Sequence, residues 1–276
     1  MFTLIRTSYR SGLRSLVVGA LSLVLLLPGI ASAAPSLNLL KATPIGSWSL
    51  REEITTDHKG RQTVSVMRSS MLSKEERNGK TYYWIEMVMD SFKVKKGKRK
   101  PADDRAVIKI LVAEDMFTGD PANAMRNLRG VGEEMIVQSG KNKPMRMSGA
   151  GGFAQGMMKG MGTEVTYDFE DQGSEKVTVQ AGSFDTRKLQ GSGSVSMKVL
   201  FKKINVTSNT TSYYSENVPF GIVKVNGDST INGKVSQNTS ELLEYGTSGA
   251  TSLITETPEE MPAMPNMKDL FGGGKG

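Results

Sequence analysis

Glu164-Val165-Thr166-Tyr167-Asp168-Phe169-Glu170 alternates without a break between polar and apolar side chains. Successive residues of an extended chain point to opposite sides, so Val165, Tyr167 and Phe169 form one face and Glu164, Thr166, Asp168 and Glu170 the other. That is a strand with one covered side. Val195, Met197, Val199 and Phe201 repeat the pattern against Ser196, Lys198 and Lys202, with Leu200 as the exception, and Val177 and Val179 repeat it briefly. Residues 48–55, 62–72, 82–89, 105–112, 184–189, 221–226 and 240–245 are further strand candidates. Between them lie the turn signals Lys59-Gly60, Asn78-Gly79, Gln172-Gly173 and Asn226-Gly227. Nine or ten strands spaced by such dipeptides predict an antiparallel sheet.

The stretch 82–89 is apolar on both sides. Tyr83, Ile85, Met87 and Met89 make one face, while Tyr82, Trp84 and Val88 make the other nearly apolar too. Two readings account for this: a central strand packed between sheet and helix, or a strand whose second face lines a ligand cavity. Helical signal is confined to Asp120-Pro121 followed by 122–129 and Gly130, about two turns with Met125 and Leu128 facing inward. The expected fold class is therefore α+β, mostly β: a curved antiparallel sheet, or half-barrel, with a short helix or flexible flap over it.

Two segments break the strand pattern. Residues 145–162 hold Met145, Met147, Met157, Met158, Met161 and Phe153 among glycines, with almost no β-branched residue, and read as a mobile flap. From Thr257 the chain carries Pro258, Pro262, Pro265 and a closing Gly-Gly-Gly-Lys-Gly, the composition of a loose tail. At the other end, Arg6, Arg10 and Arg14 precede an apolar run at 16–27, Pro28-Gly29 and Ala31-Ser32-Ala33. This is the three-part layout of a secretory signal peptide, with cleavage expected after Ala33. The run is shorter than the roughly 20 residues of a spanning helix. The expected organisation is a signal peptide at 1–33, one β-rich domain at 34–256 and a flexible tail at 257–276.

Of the net charge of +7, three units belong to the signal-peptide arginines, leaving +4. That is too mild to argue for nucleic acid. The chain has no cysteine, which removes disulfides, thiolate metal sites and nucleophilic thiols. A cysteine-free chain with such a leader is expected to be periplasmic and soluble after cleavage. The triplets starting at Asn205, Asn209 and Asn238 match the glycosylation pattern and read as ordinary polar strand and turn residues.

Two stretches look familiar together: Val177-Thr178-Val179-Gln180-Ala181-Gly182-Ser183-Phe184-Asp185-Thr186 and Tyr213-Tyr214-Ser215-Glu216-Asn217-Val218-Pro219-Phe220-Gly221-Ile222-Val223-Lys224. They resemble paired strand-turn-strand segments of exported half-barrel proteins, the lipoprotein-carrier-like group and the uncharacterised secreted families similar to it. The likeness covers about a fifth of the mature chain and rests on turn and core residues. It implies an open half-barrel under a helical lid that holds an acyl chain. No ligand-gripping residue of that group maps onto this sequence.

Catalytic chemistry has little to build on. His58, the only histidine, sits in Asp57-His58-Lys59-Gly60, a surface turn,. No lysine follows a serine by three residues, no phosphate-loop pattern occurs, and the carboxylate pairs Glu52-Glu53, Asp103-Asp104 and Glu133-Glu134 are adjacent and so diverge on a strand. The expectation is no enzyme, no catalytic residue and no cofactor. The expected role is binding of a lipid or other apolar small molecule by Trp84, Phe153, Met157, Met158, Met161 and Phe169. Lys95, Lys96, Lys98, Arg99 and Lys100 form a basic rim that suits an anionic head group or a membrane surface; a solvated hairpin tip is the plainer account of that run. Metal binding is the alternative: Met261, Met264 and Met267 recur every third residue in a proline-rich stretch, and thioethers suit Cu(I). A second alternative is an envelope protein partner gripped through Met267, Leu270 and Phe271, spaced as one helical face.

Overall fold

In the computed structural model, residues 43–102, 104–114, 131–149, 163–199 and 202–261 are described. The leader at 1–33 and the helix expected at 120–130 lie outside them. Thirteen strands form one sheet: β1 (Trp48–Thr56), β2 (Gln62–Arg77), β3 (Lys80–Lys95), β4 (Lys98–Pro101), β5 (Ala106–Ala113), β6 (Val131–Ser139), β7 (Met145–Ser148), β8 (Glu164–Val179), β9 (Gly182–Val199), β10 (Lys202–Tyr214), β11 (Ile222–Ile231), β12 (Lys234–Gly246) and β13 (Glu259–Glu260). Their order across the sheet is β13-β7-β6-β5-β3-β2-β1-β12-β11-β10-β9-β8, with β4 paired to the far end of β3. Every pairing is antiparallel except β13 on β7. The sheet does not close on itself.

Three hairpins turn on a two-residue loop with both residues at positive φ: Asn78-Gly79, Lys96-Gly97 and Asn232-Gly233. This is the turn whose twist matches the flanking strands, and glycine in second place removes its steric cost. Two other dipeptides expected as turns are not. Gln172-Gly173 lies at a bulge inside β8, where the register against β9 shifts between Asp171 and Ser174 and Asp171 Oδ1 accepts from the Gly173 amide at 2.9 Å. Asn226-Gly227 runs through the middle of β11, and the glycine is needed because a Cβ there would stand 2.6 Å from the Asn209 carbonyl oxygen. Both glycines serve continuous pairing. The half-strands expected at 164–170 and 177–179 are accordingly one strand, as are those at 184–189 and 195–199.

The hairpin tip at Gln180 and Ala181 curls back over the sheet. The Ala181 amide donates to the Leu242 carbonyl at 3.3 Å, and Val177, Val179 and Phe184 pack on Val218, Val223 and Leu242, with Phe184 edge-on to Tyr245 at 5.9 Å. The corner at 218–221 launches β11 as expected, closed by the Ser215 amide on the Gly221 carbonyl at 2.8 Å and the Gly221 amide on the Val218 carbonyl at 2.9 Å.

Among the described residues there is no α-helix, which corrects the expectation of a helix packed over β3. Its cover is an extended strap, residues 250–256, that follows β12 and crosses β3 before β13. Two further expectations change along the chain. Met145–Ser148, the start of the expected flap, is strand β7, held by the register Met135 to Met147 and Val137 to Met145. Glu259–Glu260, inside the expected tail, pairs with β7, and the Met261 amide donates to the Arg146 carbonyl at 2.7 Å. Residues 150–162 and 262–276 lie outside the described residues.

Glycine also sets where aromatic rings lie. The Phe169 ring covers Gly191 directly across β8 and β9, and a Cβ on Gly191 would fall 2.1 Å from its Cε1. Gly191→Ala is expected to destabilise the protein by about 1 to 3 kcal/mol through overpacking. Adding Phe169→Leu should recover at least half of that loss in urea unfolding; equal losses with and without Phe169→Leu would refute the contact.

Candidate functional site

Because β3 is central and its residues alternate, the two sides of the sheet acquire different chemistry. On one side Tyr82 and Trp84 pack with Leu111, Ala113 and Ile136, and Leu72 and the strap residue Ile254 close over them. Glu86, on the same side and fully buried, ties the strap down. Its Oε2 accepts from the Ser252 hydroxyl at 2.6 Å and its Oε1 from the Leu253 amide at 2.8 Å. The Trp84 indole N–H donates to Glu75 Oε2 at 2.8 Å. Glu75 also pairs with Arg77, and Arg77 and Arg146 converge on Glu134, each at 3.0 Å. Arg77 is hydrogen-bonded to Glu134, whereas Arg146 Nε, although an ion-pair partner of Glu134, is buried without a hydrogen bond of normal geometry.

The opposite side is a methionine face. The register places Met71, Ile85, Ile110, Met135 and Met147 in one row across β2, β3, β5, β6 and β7. The next row is Ser69, Met87, Ile108, Val137 and Met145, and the third is Met67, Met89 and Ala106. The first row is buried at Met71, Ile85 and Ile110, whereas Met67, Met87, Met89, Ile108, Val137 and Met145 are half-buried. Flexible thioethers at a partly exposed surface can repack around irregular apolar shapes. Past Met89 on the same side of β3 come Ser91, Lys93 and Lys95, and Lys93 and Lys95 face Lys100 and Lys98 of β4. Four lysines thus stand at one end of the methionine rows.

On β1 the face turns polar. Ser49, Arg51 and Glu53 are the cross-strand partners of Ser69, Met67 and Ser65. Arg51 is only 8% exposed. Burial pulls its guanidinium pKa down, opposed by the charge of Glu53 and by Tyr214. Burial likewise pushes the Glu53 carboxyl up, with Arg51 pulling it back. The Tyr214 phenol, on β10, is pushed up by burial and stays neutral at physiological pH. Its hydroxyl is buried without a hydrogen bond of normal geometry, although Ser212 lies beside it, and the Ser49 hydroxyl is orphaned in the same way.

The residues expected to bind ligand do not form one group. Trp84 is packed under the strap on the side away from the methionines, and Phe169, on the edge strand β8 seven strands from β3 in the sheet order, lies over Gly191 of β9. Phe153, Met157, Met158 and Met161 lie outside the described residues, as do Met264, Met267, Leu270 and Phe271. Met261 follows β13. Of the basic rim, Lys95, Lys98 and Lys100 share the methionine side, Lys96 occupies the hairpin turn, and Arg99 points to the other side, where Glu52 holds it at 2.6 and 2.9 Å. His58 is exposed in its turn. Sequence reasoning missed Arg51, Glu86 and Tyr214. Each is a polar residue buried in a strand, and alternation assigns such residues to the solvent side.

No family model and no curated protein matches this chain. Among solved structures, a "putative lipoprotein" from Parabacteroides distasonis aligns with a TM-score of 0.36 at 17% identity, over 74% of this chain and 97% of that one. A "putative exported protein with YmcC-like fold" from Bacteroides fragilis aligns with a TM-score of 0.32 at 14% identity, over 74% and 97%. Scores this low carry no argument about fold or role. Neither protein is described as a lipoprotein carrier.

Glu86→Ala removes the acceptor for the strap and should cost about 2 to 3 kcal/mol. Limited proteolysis should then cut within 250–256 under conditions that leave the wild type intact. A strap equally protected in both proteins would show that Glu86 does not hold it.

Proposed function

We propose that the protein is a non-catalytic binding protein of the bacterial envelope that takes a hydrophobic, lipid-like ligand on its methionine face. The observation that carries this reading is the shared face: half-buried Met67, Met87 and Met89 lead on one side of the sheet to Lys93, Lys95, Lys98 and Lys100. An apolar surface ending in a cluster of one charge sign matches an amphiphile with an anionic head. Each methylene buried supplies about 0.8 kcal/mol before ordering costs are subtracted. The leader-like layout of residues 1–33 supports export to the periplasm, where such a ligand crosses water between two membranes.

The test is uptake of a fluorescent fatty acid and a fluorescent phospholipid by the purified mature chain, with Met89→Asp as the blocking variant. A carboxylate in the third methionine row should weaken uptake at least tenfold while circular dichroism stays that of a β protein. Replacing Lys93, Lys95, Lys98 and Lys100 together by Glu should lower affinity for anionic ligands and reverse the sign of its salt dependence. Failure of the wild type to take up either probe, or uptake indifferent to Met89→Asp, would overturn the reading.

A further inference from the structure

We propose that one end of the sheet is a docking surface for an anionic phospholipid bilayer, with the lysine face of the β3–β4 hairpin as its main contact and the β11–β12 tip as an apolar toehold; this rests on the envelope location proposed above and not on ligand uptake. β3 outruns its neighbours, since β5 pairs with it only from Tyr82 to Met89 and β2 only as far as Lys93. Beyond them β3 and β4 continue as a two-stranded ribbon, with Lys93 opposite Lys100 and Lys95 opposite Lys98. All four lysines are exposed, and among the described residues none of their ammonium groups has a carboxylate partner. Like charges set directly across a ribbon destabilise it. A surface of opposite charge removes that cost. Three acids of this end are already engaged by arginines: Glu52 grips Arg99 at 2.6 and 2.9 Å, Asp90 grips Arg105 at 2.9 Å, and Asp57 holds Arg61 at 2.7 Å. Glu53, on the lysine side, stands two strands away in the Ser91 row.

The register gathers more of the same chemistry at this end. β12 begins where β1 finishes, with Gln237 across from Thr56, so the Asn232-Gly233 turn projects from the same sheet end as the turn at 57–61. Lys59 and Lys234 are exposed at these two turns. Flanking Asn232-Gly233, Ile231 and Val235 are large apolar side chains left 42% and 49% exposed. Cations around apolar side chains match a bilayer surface, whose phosphates attract the former and whose acyl boundary takes the latter. Nucleic acid is the poorer fit, because the lysine face of the ribbon carries no aromatic ring on which a base could stack. Lysine is a strongly hydrated point charge suited to diffuse attraction, and the arginine forks of this end are turned to the protein's own carboxylates. Docked this way, the methionine rows lead up to the lipid, since Met89 precedes Ser91 and Lys93 on the same side of β3.

The experiment is co-sedimentation of the purified mature chain with vesicles of phosphatidylcholine, alone or mixed in equal parts with phosphatidylglycerol. The wild type should bind the mixed vesicles at least tenfold more tightly, and the preference should fade as salt rises. Lys95→Glu, Lys98→Glu and Lys100→Glu combined should abolish it. Lys74→Glu, Lys80→Glu and Lys176→Glu combined, an equal change of net charge on exposed lysines toward the opposite strand ends, should leave most of it. Ile231→Ser with Val235→Ser should lower the affinity severalfold and make the remainder more sensitive to salt. Equal losses in the two lysine triples would reduce the effect to net charge and overturn the docking surface, as would a wild type indifferent to phosphatidylglycerol. Tighter binding to a DNA duplex than to the mixed vesicles would reassign the lysines to nucleic acid and overturn it too. Vesicle binding without fatty-acid uptake supports the docking surface and removes only the ligand-binding reading; uptake without vesicle binding removes only the docking surface.

Discussion

Register along β3 is the constraint on which the rest of the molecule depends. Strand side chains repeat every two residues, so a slip of one position against β2 or β5 moves the whole apolar set to the wrong side. Held as it is, with Met87 between Ser69 and Ile108 and Glu86 between Ser70 and Lys109, the strand sends Tyr82, Trp84 and Glu86 to the strap and Ile85, Met87 and Met89 to the methionine face. The Asn78-Gly79 loop at one end and the Lys96-Gly97 loop at the other pin that register, because each fixes which residues begin the pairing,.

An open sheet has two faces to protect, and this chain treats them differently. One is shut by its own polypeptide, through Ile254 on the Trp84 cluster and the hydrogen bonds from 252–254 to Glu86. Around it a chain of carboxylates and guanidiniums runs from Glu75 to Arg146 in ion pairs. The other face keeps its outer methionine rows half-buried and leaves hydroxyls at Ser49 and Tyr214 without partners. Self-satisfied chemistry stabilises a fold; unspent chemistry at an adaptable apolar surface is what a guest can use.

Much of the fold was legible in the sequence, for identifiable reasons. The alternation at 164–170 and 48–55, and the Asn78-Gly79 turn, gave strands and a hairpin where the structure has them. The doubly apolar stretch at 82–89 did mark a strand, whose Tyr82 and Trp84 side is covered by the strap and whose Met87 and Met89 side is half-buried. β6 escaped because Gly132, Glu133 and Glu134 interrupt its pattern, and β10 is mostly Lys, Asn, Ser and Thr, with Val206 and Tyr214 as its buried apolar residues. Glycine misled at 173 and 227, where it permits a bulge and a close backbone approach. The site was less legible. Trp84 and Phe169 were attractive as large aromatics, yet each is consumed by its own sheet or strap. Arg51 and Glu86 are buried by contacts from strands and a strap distant in sequence, which period-two reasoning does not contain.

On the proposed reading the methionine face receives a guest while the aromatic clusters do not. Methyl-13C methionine labelling with stepwise addition of oleate tests this most directly, resonances being assigned by single Met→Leu changes. Met67, Met87 and Met89 should shift together and saturate at one ligand per chain, whereas Met197, packed against Val195 and Val206 on the far side of the sheet order, should stay in place. Shifts at Met197 with none at Met87 or Met89 would contradict it.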